Sequence, residues 1–311
     1  MPTILENSVM ENRGNLYELM PEQELGPESE RLKRFEIPNI FSLNLMGDIP
    51  EGALIADIGA GENPGIRTAV QNSKANYLAI DIPQRSKALL EHGSNNSLIY
   101  ISDARELGFN GHIADIVHSR FLLGHINNPN DRELIIKNLV GLTKPDGKTI
   151  LIDYDWSGLR GSEAVNNLRE FMRNNIWIFD GFYGANSASE IADLIGSDYQ
   201  VKEIRKTSPL LGAEDKIQYA PAVTLRNGMI GFIVGQTADL DSIQALRDAV
   251  SDGAPRETID KAFQAMAQSA DKSLIVQTNQ IFDALELEAS SDNPPGFYMP
   301  DMVATVIEST K

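Results

Sequence analysis

Five short runs of β-branched and other apolar residues punctuate the middle of the chain: LIADI (54–58), YLAID (77–81), LIYIS (98–102), ADIVHS (114–119) and KTILID (148–153). Four of the five end at or just before Asp or Ser, and loops with Gly, Asn or Pro follow. Helix-like stretches separate them. Parallel strands need such crossovers, so the pattern reads as βαβ units and a parallel sheet. Runs that are apolar on both sides suit a sheet covered on both faces. A sixth strand is expected near Tyr199–Ile204, and MVATVI (302–307) reads as a strand returning to the sheet after the turn-forming DNPPG (292–296). The expected architecture is α/β, a mostly parallel seven-stranded sheet with helices on both faces.

Residues after Thr207 follow another period. Ile259, Phe263, Met266, Ala267, Ala270, Leu274, Ile281, Phe282 and Leu285 recur at helical spacing, as do Leu240, Ile243, Leu246 and Val250, which predicts helices with one buried face. GMIGFIVG (228–235) fits a buried strand or a glycine-packed helix, with helix favoured. The expected organisation is an N-terminal helical lid segment (1–50), a Rossmann-like core (51–205), a mostly helical insertion (206–295) and a returning strand (296–311). In the first segment SERLKRF (29–35) reads as helix, and Pro38 interrupts the pattern before IFSLNLM (40–46). Lid and packing helix are equally good readings of it.

Composition removes several classes of function. A net charge of −17 opposes a phosphate backbone, which is gripped by Lys and Arg, so no nucleic-acid partner is expected. No run of about 18 apolar residues is present, so no membrane span is expected. The N-terminus lacks the basic-then-apolar pattern of a secretory signal. With no cysteine in its 311 residues, the chain has no disulfides and no thiolate metal site, and a cytoplasmic location is the default expectation. No His or carboxylate spacing reads as a metal site; HINNPND (125–131) lacks a second histidine in register, and His92 and His112 are isolated.

The chemistry concentrates at the strand ends. In LIADIGAGENPGI (54–66) an apolar strand carrying Asp57 runs into a turn with Gly59 and Gly61. Glycines let the backbone turn tightly and approach a ligand with no Cβ in the way. Many Rossmann-type proteins share such a turn. Asp81 closes the second run 22 residues after Gly59, where a carboxylate accepts bonds from both hydroxyls of a ribose. Asp103 follows the third run after another 22 residues, and with the amide of Ala104 it suits an adenine edge. Each aspartate alone reads equally well as a loop or cap residue; a series at successive strand ends is hard to explain that way.

These residues resemble the class I S-adenosylmethionine-dependent methyltransferases. LIADIGAGENPG is similar to the first motif of that family, YLAID to the second and SDAREL to the third. DIVHSRFLLGHINNPNDRELIIKNLVGLTKPDGKTILIDYDW (115–156) resembles the segment from fourth to fifth strand in the family's small-molecule branch. LYELMPEQELGPESERL (16–32) and FYMPDMVATVIES (297–309) resemble the same branch more weakly. The resemblance implies a Rossmann-like methyltransferase fold, S-adenosylmethionine as cofactor with S-adenosylhomocysteine as product, and a small-molecule acceptor, as in secondary metabolism. By position it implies that Gly59, Ala60 and Gly61 pass beneath the methionine part, with Asp57 shaping the loop. Asp81 with Ile82 beside it would hold the ribose, and Asp103 with Ala104 the adenine. Ser119, Arg120 and Phe121 would line the sulfonium and adenine side, and Tyr17 would close over the site. One departure stands out: the usual third glycine is replaced, since Gly61 is followed by Glu62, Asn63 and Pro64 before Gly65.

Methyl transfer from a sulfonium depends mostly on positioning, with a general base adding about 10²–10⁴-fold. Candidate bases are His118, His125, Asp153 and Asp155, each with a structural reading beside the catalytic one. Trp156, Trp177, Phe179, Phe182 and Tyr183 are the densest aromatic cluster, either core or the wall of an acceptor pocket. Three readings compete: a small-molecule methyltransferase (EC 2.1.1 type), a non-catalytic cofactor-binding scaffold or non-methylating enzyme that uses the same cofactor, and a dinucleotide-dependent oxidoreductase. A homodimer is expected from the long helical elaboration.

Overall fold

The computed structural model describes residues 38–61, 64–82, 97–109, 111–126, 128–175, 188–207, 210–211, 226, 229–231, 233–235, 237–291, 297–298 and 301–310. These fall into two compact units. One contains the described residues of 38–155, 188–207 and 301–310; the other contains those of 156–175 and 210–298.

The first unit is built on seven strands: β1 (Leu54–Ile58), β2 (Asn76–Asp81), β3 (Ser97–Ile101), β4 (Ala114–Arg120), β5 (Thr143–Asp155), β6 (Tyr199–Lys206) and β9 (Asp301–Ser309). Their order is β3-β2-β1-β4-β5-β9-β6. The first five are parallel, and β9 runs antiparallel between β5 and β6. The expected seven-stranded, mostly parallel Rossmann-like sheet is therefore present. Strand β5 starts earlier than the KTILID run: Thr143 pairs with Ala114, then the register shifts so that Lys148 pairs with Ile116. The KPDGK turn is a bulge within a long strand, and Gly147 sits there because a Cβ would lie 2.6 Å from the Asp115 carbonyl.

Alternation along the strands sends side chains to two cores. Ile55, Tyr77, Ala79, Ile116, Ile150 and Ile152 pack with Phe41, Met46, Ile66 and Val70. Those partners come from helix α1 (38–46) and helix α2 (Pro64–Asn72). Ala56, Ile58, Leu78, Ile80, Val117 and Leu151 pack with Ile135, Ile136, Leu139 and Ile191. These belong to α3 (Pro129–Leu142) and α4 (Ala188–Ile195) on the opposite face; α4 follows a further helix in the chain, α5 here (Glu163–Asn175), which lies in the other unit. Helix α3 starts where its sequence directs: Pro129 opens it without an unpaired amide, and Asn128 caps it by accepting from the Asn130 N–H at 2.9 Å. Residues 38–46 are helical, while the SERLKRF stretch (29–35) lies outside the described residues.

The second unit is mostly helical: α5, α6 (Leu240–Ser251), α7 (Arg256–Ser269) and α8 (Lys272–Ala289), with a two-stranded ribbon of β7 (Leu210–Leu211) and β8 (Phe297–Tyr298). Residues 229–231 and 233–235 are helical, as favoured for that run. Val234, Ile243, Leu246, Met266 and Ala270 form its core, the residues whose 3.6 period stood out. Asp239 and Asp271 cap α6 and α8. Ser162 Oγ donates to Glu288 Oε2 at 2.5 Å, joining the start of α5 to α8. Among the described residues no helix is long and apolar enough to cross a membrane.

Candidate active site at the carboxyl edge of the sheet

The strand order turns back between β1 and β4: the chain runs outward through β2 and β3 on one side, then through β5 on the other. In open α/β sheets the crevice at that switch, outside the carboxyl ends, is where ligands bind. The loop after β1 is shaped for it. Gly59 and Gly61 hold left-handed φ angles of +69° and +54°, where a Cβ is strained. The Gly59 N–H donates to the Ile80 carbonyl at 2.8 Å, anchoring the turn to β2. A Cβ on Gly59 would lie 3.2 Å from Leu122, whereas one on Gly61 would meet nothing within 4 Å. The Gly61 N–H donates to Asp81 Oδ2 at 2.6 Å and the Ile82 N–H to Oδ1 at 2.8 Å. Asp81 is thus oriented by two backbone amides. Ala60 is buried in the α1/α2 core.

Beneath this loop runs a buried polar chain. The Tyr77 hydroxyl donates to Asp57 Oδ2 at 2.6 Å, His118 Nδ1 lies 2.8 Å from Asp57 Oδ1, and His118 Nε2 lies 3.1 Å from Ser42 Oγ. All four residues are buried. Burial pushes the Asp57 carboxyl up, but the neighbouring His118 and the bonds from His118 and Tyr77 outweigh it, so its pKa lies below the ordinary value. The Tyr77 phenol is pushed well above its ordinary value by burial and by Asp57. His118, a candidate base, therefore has both ring nitrogens engaged inside the core. Arg120 follows on the same face and donates to Asn39 Oδ1 at 2.8 Å; burial lowers its pKa.

At the end of β4, Phe121 adopts φ +58°, which costs an L-residue about 1–2 kcal/mol. Its N–H donates to the Ile152 carbonyl at 2.8 Å, and its ring stacks on Tyr154 with centroids 4.4 Å apart and planes 9° apart. The Arg120 guanidinium lies 5.5 Å from the Phe121 centroid. Burial pushes the Tyr154 phenol up to about 12.

The other candidates lie elsewhere. Ser119 points to the α3/α4 face, where its Oγ finds no hydrogen-bond partner among the described residues. Asp153 lies on that face too. Its Oδ2 accepts from the Gly124 N–H at 3.1 Å, while Oδ1 is sealed from solvent without a described partner. Burial, offset in part by the Gly124 and Tyr154 amides and by Arg132, raises its pKa to about 7. His125 is in the short 3-10 turn Leu123–His125 that Asp153 holds through Gly124. Asp155 pairs with Arg205 at the far end of β5. Asp103 is fully gripped by Arg105, which donates to Oδ1 from its backbone N–H at 2.8 Å and from Nε at 2.9 Å, and to Oδ2 at 2.5 Å. Arg105 also reaches Asp131 at 3.0 Å, and it holds the Asp103 carboxyl below its usual range. Ala104 is buried beside it and its carbonyl accepts from Asn138 at 3.0 Å. Tyr17, Trp177, Phe179, Phe182 and Tyr183 lie outside the described residues. Among the described residues no group of three or more His, Asp or Glu is placed to hold a metal ion.

The structure thus brings Asp57, Gly59, Gly61, Asp81, Arg120 and Phe121 to one edge. Asn39, Ser42, Tyr77 and Leu122 pack or bond against them; Tyr77 and Leu122 lie in quoted motifs, whereas Asn39 and Ser42 have no motif to announce them.

Residues 56–151 match a family model described as a methyltransferase domain. No curated protein sequence matches the chain at a significant level. Among solved structures, the chain is similar to a putative sarcosine dimethylglycine methyltransferase from Galdieria sulphuraria, at 11% identity over 90% of this chain and 88% of that one, with a TM-score of 0.47. It is similar to a Haemonchus contortus phosphoethanolamine N-methyltransferase 2 in complex with S-adenosyl-L-methionine, at 15% identity over 88% of this chain and a TM-score of 0.45. It spans only 53% of that protein's length. A putative methyltransferase from an antibiotic biosynthesis pathway of Anabaena variabilis is similar at 16% identity over 88% of this chain and 96% of that one, with a TM-score of 0.45.

Proposed function

We propose that the chain, whose residues 56–151 match a methyltransferase-domain model, transfers a methyl group from S-adenosylmethionine to an O, N or C nucleophile of a small molecule. The observation that carries this reading is the bond from the Gly61 N–H to Asp81 Oδ2. It ties the glycine turn after β1 to an oriented carboxylate after β2, beside the point where strand order reverses. The residues present fit the cofactor. Among the described residues nothing lies within 4 Å of a Cβ built on Gly61, so a ligand backbone has room there, and Asp81, held by two backbone amides, is the residue type that accepts from ribose hydroxyls.

When bound, S-adenosylmethionine supplies an electrophilic methyl on a sulfonium. The chain's own residues contribute binding and alignment, which is where most of the rate of such a transfer resides. Gly59, Ala60 and Gly61 form the cradle, Asp81 and Ile82 the ribose end, and Asp103, with Ala104, the adenine end. Asp103 acts there with its charge already neutralised by Arg105, so adenine recognition falls to backbone amides and to whichever lone pairs the guanidinium leaves. Ser119, Arg120 and Phe121 form the wall after β4.

Of the four candidate bases, His118 is a positioning residue, since both its nitrogens serve Asp57 and Ser42. Asp155 is a rim residue committed to Arg205. Asp153 holds the 123–125 turn, and burial raises its pKa to about 7. His125 and Asp153 are the two candidates left for proton removal from the acceptor. The strongly acidic chain supports a small, non-polyanionic acceptor.

The test is calorimetric titration with S-adenosylmethionine and S-adenosylhomocysteine, with NAD and NADP as controls. Binding of the first two alone is expected, and Asp81→Ala is expected to abolish it. Binding of NAD, or of none of the four, would sink the reading. A screen of amine, phenol and carbon acceptors then distinguishes a methyltransferase from a scaffold that binds the cofactor without turning it over.

A further inference from the structure

Gly65, four residues beyond Gly61, has a partner. Gly65 lies in the first turn of α2, and a Cβ built there would fall 2.1 Å from Asn39 Nδ2 and 2.7 Å from Asn39 Cγ. No side chain fits at 65 while Asn39 occupies that place. Asn39 is itself buried, in the first turn of α1, and its Oδ1 accepts from Arg120 Nη1 at 2.8 Å. One amide therefore lies against the start of the helix that follows the cofactor turn and holds the guanidinium at the end of β4. Two further bonds fix α1 in this position: Ser42 Oγ to His118 Nε2, and Lys148 Nζ to the Leu45 carbonyl at 2.8 Å.

We propose that Asn39 is a positioning residue for the cofactor site, that it clamps the start of α2 to Arg120, and that Gly65 is glycine in order to admit its amide. This deepens the methyltransferase reading and rests on it. Residues 26 apart in sequence then act as one unit. The placement of α1 and the placement of the start of α2 are then coupled through packing. A methyl at 65 expels the amide, the Arg120 bond breaks, and both sides of the cradle lose their alignment.

The experiment is a double-mutant cycle of Asn39→Ala and Gly65→Ala, read by calorimetric affinity for S-adenosylhomocysteine and by ligand-free thermal unfolding. In the parent background Gly65→Ala is expected to weaken S-adenosylhomocysteine binding at least tenfold. Asn39→Ala alone is expected to weaken it several-fold. With Asn39→Ala already present, the methyl at 65 has room, so adding Gly65→Ala changes affinity less than twofold. If Gly65→Ala alone does not fold, the double variant is expected to fold and bind like Asn39→Ala. An equal loss in both backgrounds would mean that the methyl obstructs the ligand directly, and would overturn the proposal. So would a harmless Gly65→Ala, a double variant that also fails to fold, or a cycle that moves the melting temperature but not the affinity. Failure of the parent to bind S-adenosylhomocysteine is a separate result, which removes the methyltransferase reading itself.

Discussion

On the sheet face covered by α1 and α2, Tyr77, Asp57, His118 and Ser42 form one continuous hydrogen-bonded chain, and Arg120 is met by Asn39. On the face covered by α3 and α4, at the same carboxyl edge, Ser119 Oγ and Asp153 Oδ1 are sealed without a described partner. Both faces bury polar atoms one strand apart, yet among the described residues only the first satisfies them. A bonded buried group costs little, and an unbonded one costs its full desolvation. The first face is therefore built to hold geometry, and it lies directly under the glycine turn. The second carries a carboxyl whose surroundings keep it titrating near neutrality, under the turn that bears His125.

The largest effect is expected from breaking the satisfied face at its centre. Asp57→Ala leaves the Tyr77 hydroxyl and His118 Nδ1 buried without an acceptor and should cost about 3–5 kcal/mol, read as a lower urea midpoint. A loss under 1 kcal/mol would mean that water replaces the carboxylate and that the chain of bonds is no framework.

The unsatisfied face should show itself through pH. The Asp153 carboxyl is raised to about 7 in the folded protein against 3.8 for the free group. The folded state therefore holds the proton more tightly, and stability is greatest at low pH. It falls as pH rises from about 4 to 7, at up to about 1.4 kcal/mol per pH unit, and levels off above 7. Asp153→Asn keeps the acceptor for Gly124 and removes the proton. Relative to the parent it should gain on the order of 2–3 kcal/mol between pH 5 and 8, measured by denaturant unfolding at both. A difference that stays constant across that range would show that Asp153 is ionised throughout.

Smaller contrasts come from the two serines. Ser42→Ala removes a bond to His118 and should cost about 1 kcal/mol. Ser119→Ala removes a hydroxyl with no described partner and should be neutral, or stabilising by up to about 1 kcal/mol, in ligand-free protein. Equal losses in the two variants would erase the distinction between the faces.

Much of this fold was legible because buried parallel strands are apolar on both sides and so appear as unbroken runs. LIADI, YLAID and ADIVHS coincide with β1, β2 and β4 to within a residue. Helices α6 to α8 were equally open to reading, since a 3.6 period of Ile, Leu, Met and Phe has no other cause. The glycine turn and Asp81 announced themselves by chemistry that only a few residue types can perform. The bulge at 144–147 was less visible, because a KPDGK turn and a bulged strand share the same composition. The β7/β8 ribbon was invisible, being two residues from each of two distant segments.

The sequence by itself determined the strands, their parallel βαβ character and the residue types at their carboxyl ends, because each is encoded by local period or by a contiguous motif. Only the tertiary structure decided which polar groups are satisfied. Asn39 carries no motif, and nothing near it in the chain predicts Arg120 or Gly65 as a partner. His118 looks the same in sequence whether it faces an acceptor or fills a core. Those roles arise from side chains brought together across strands and helices, at distances where a hydrogen bond or a single methyl group changes the free energy, and no local pattern records that meeting.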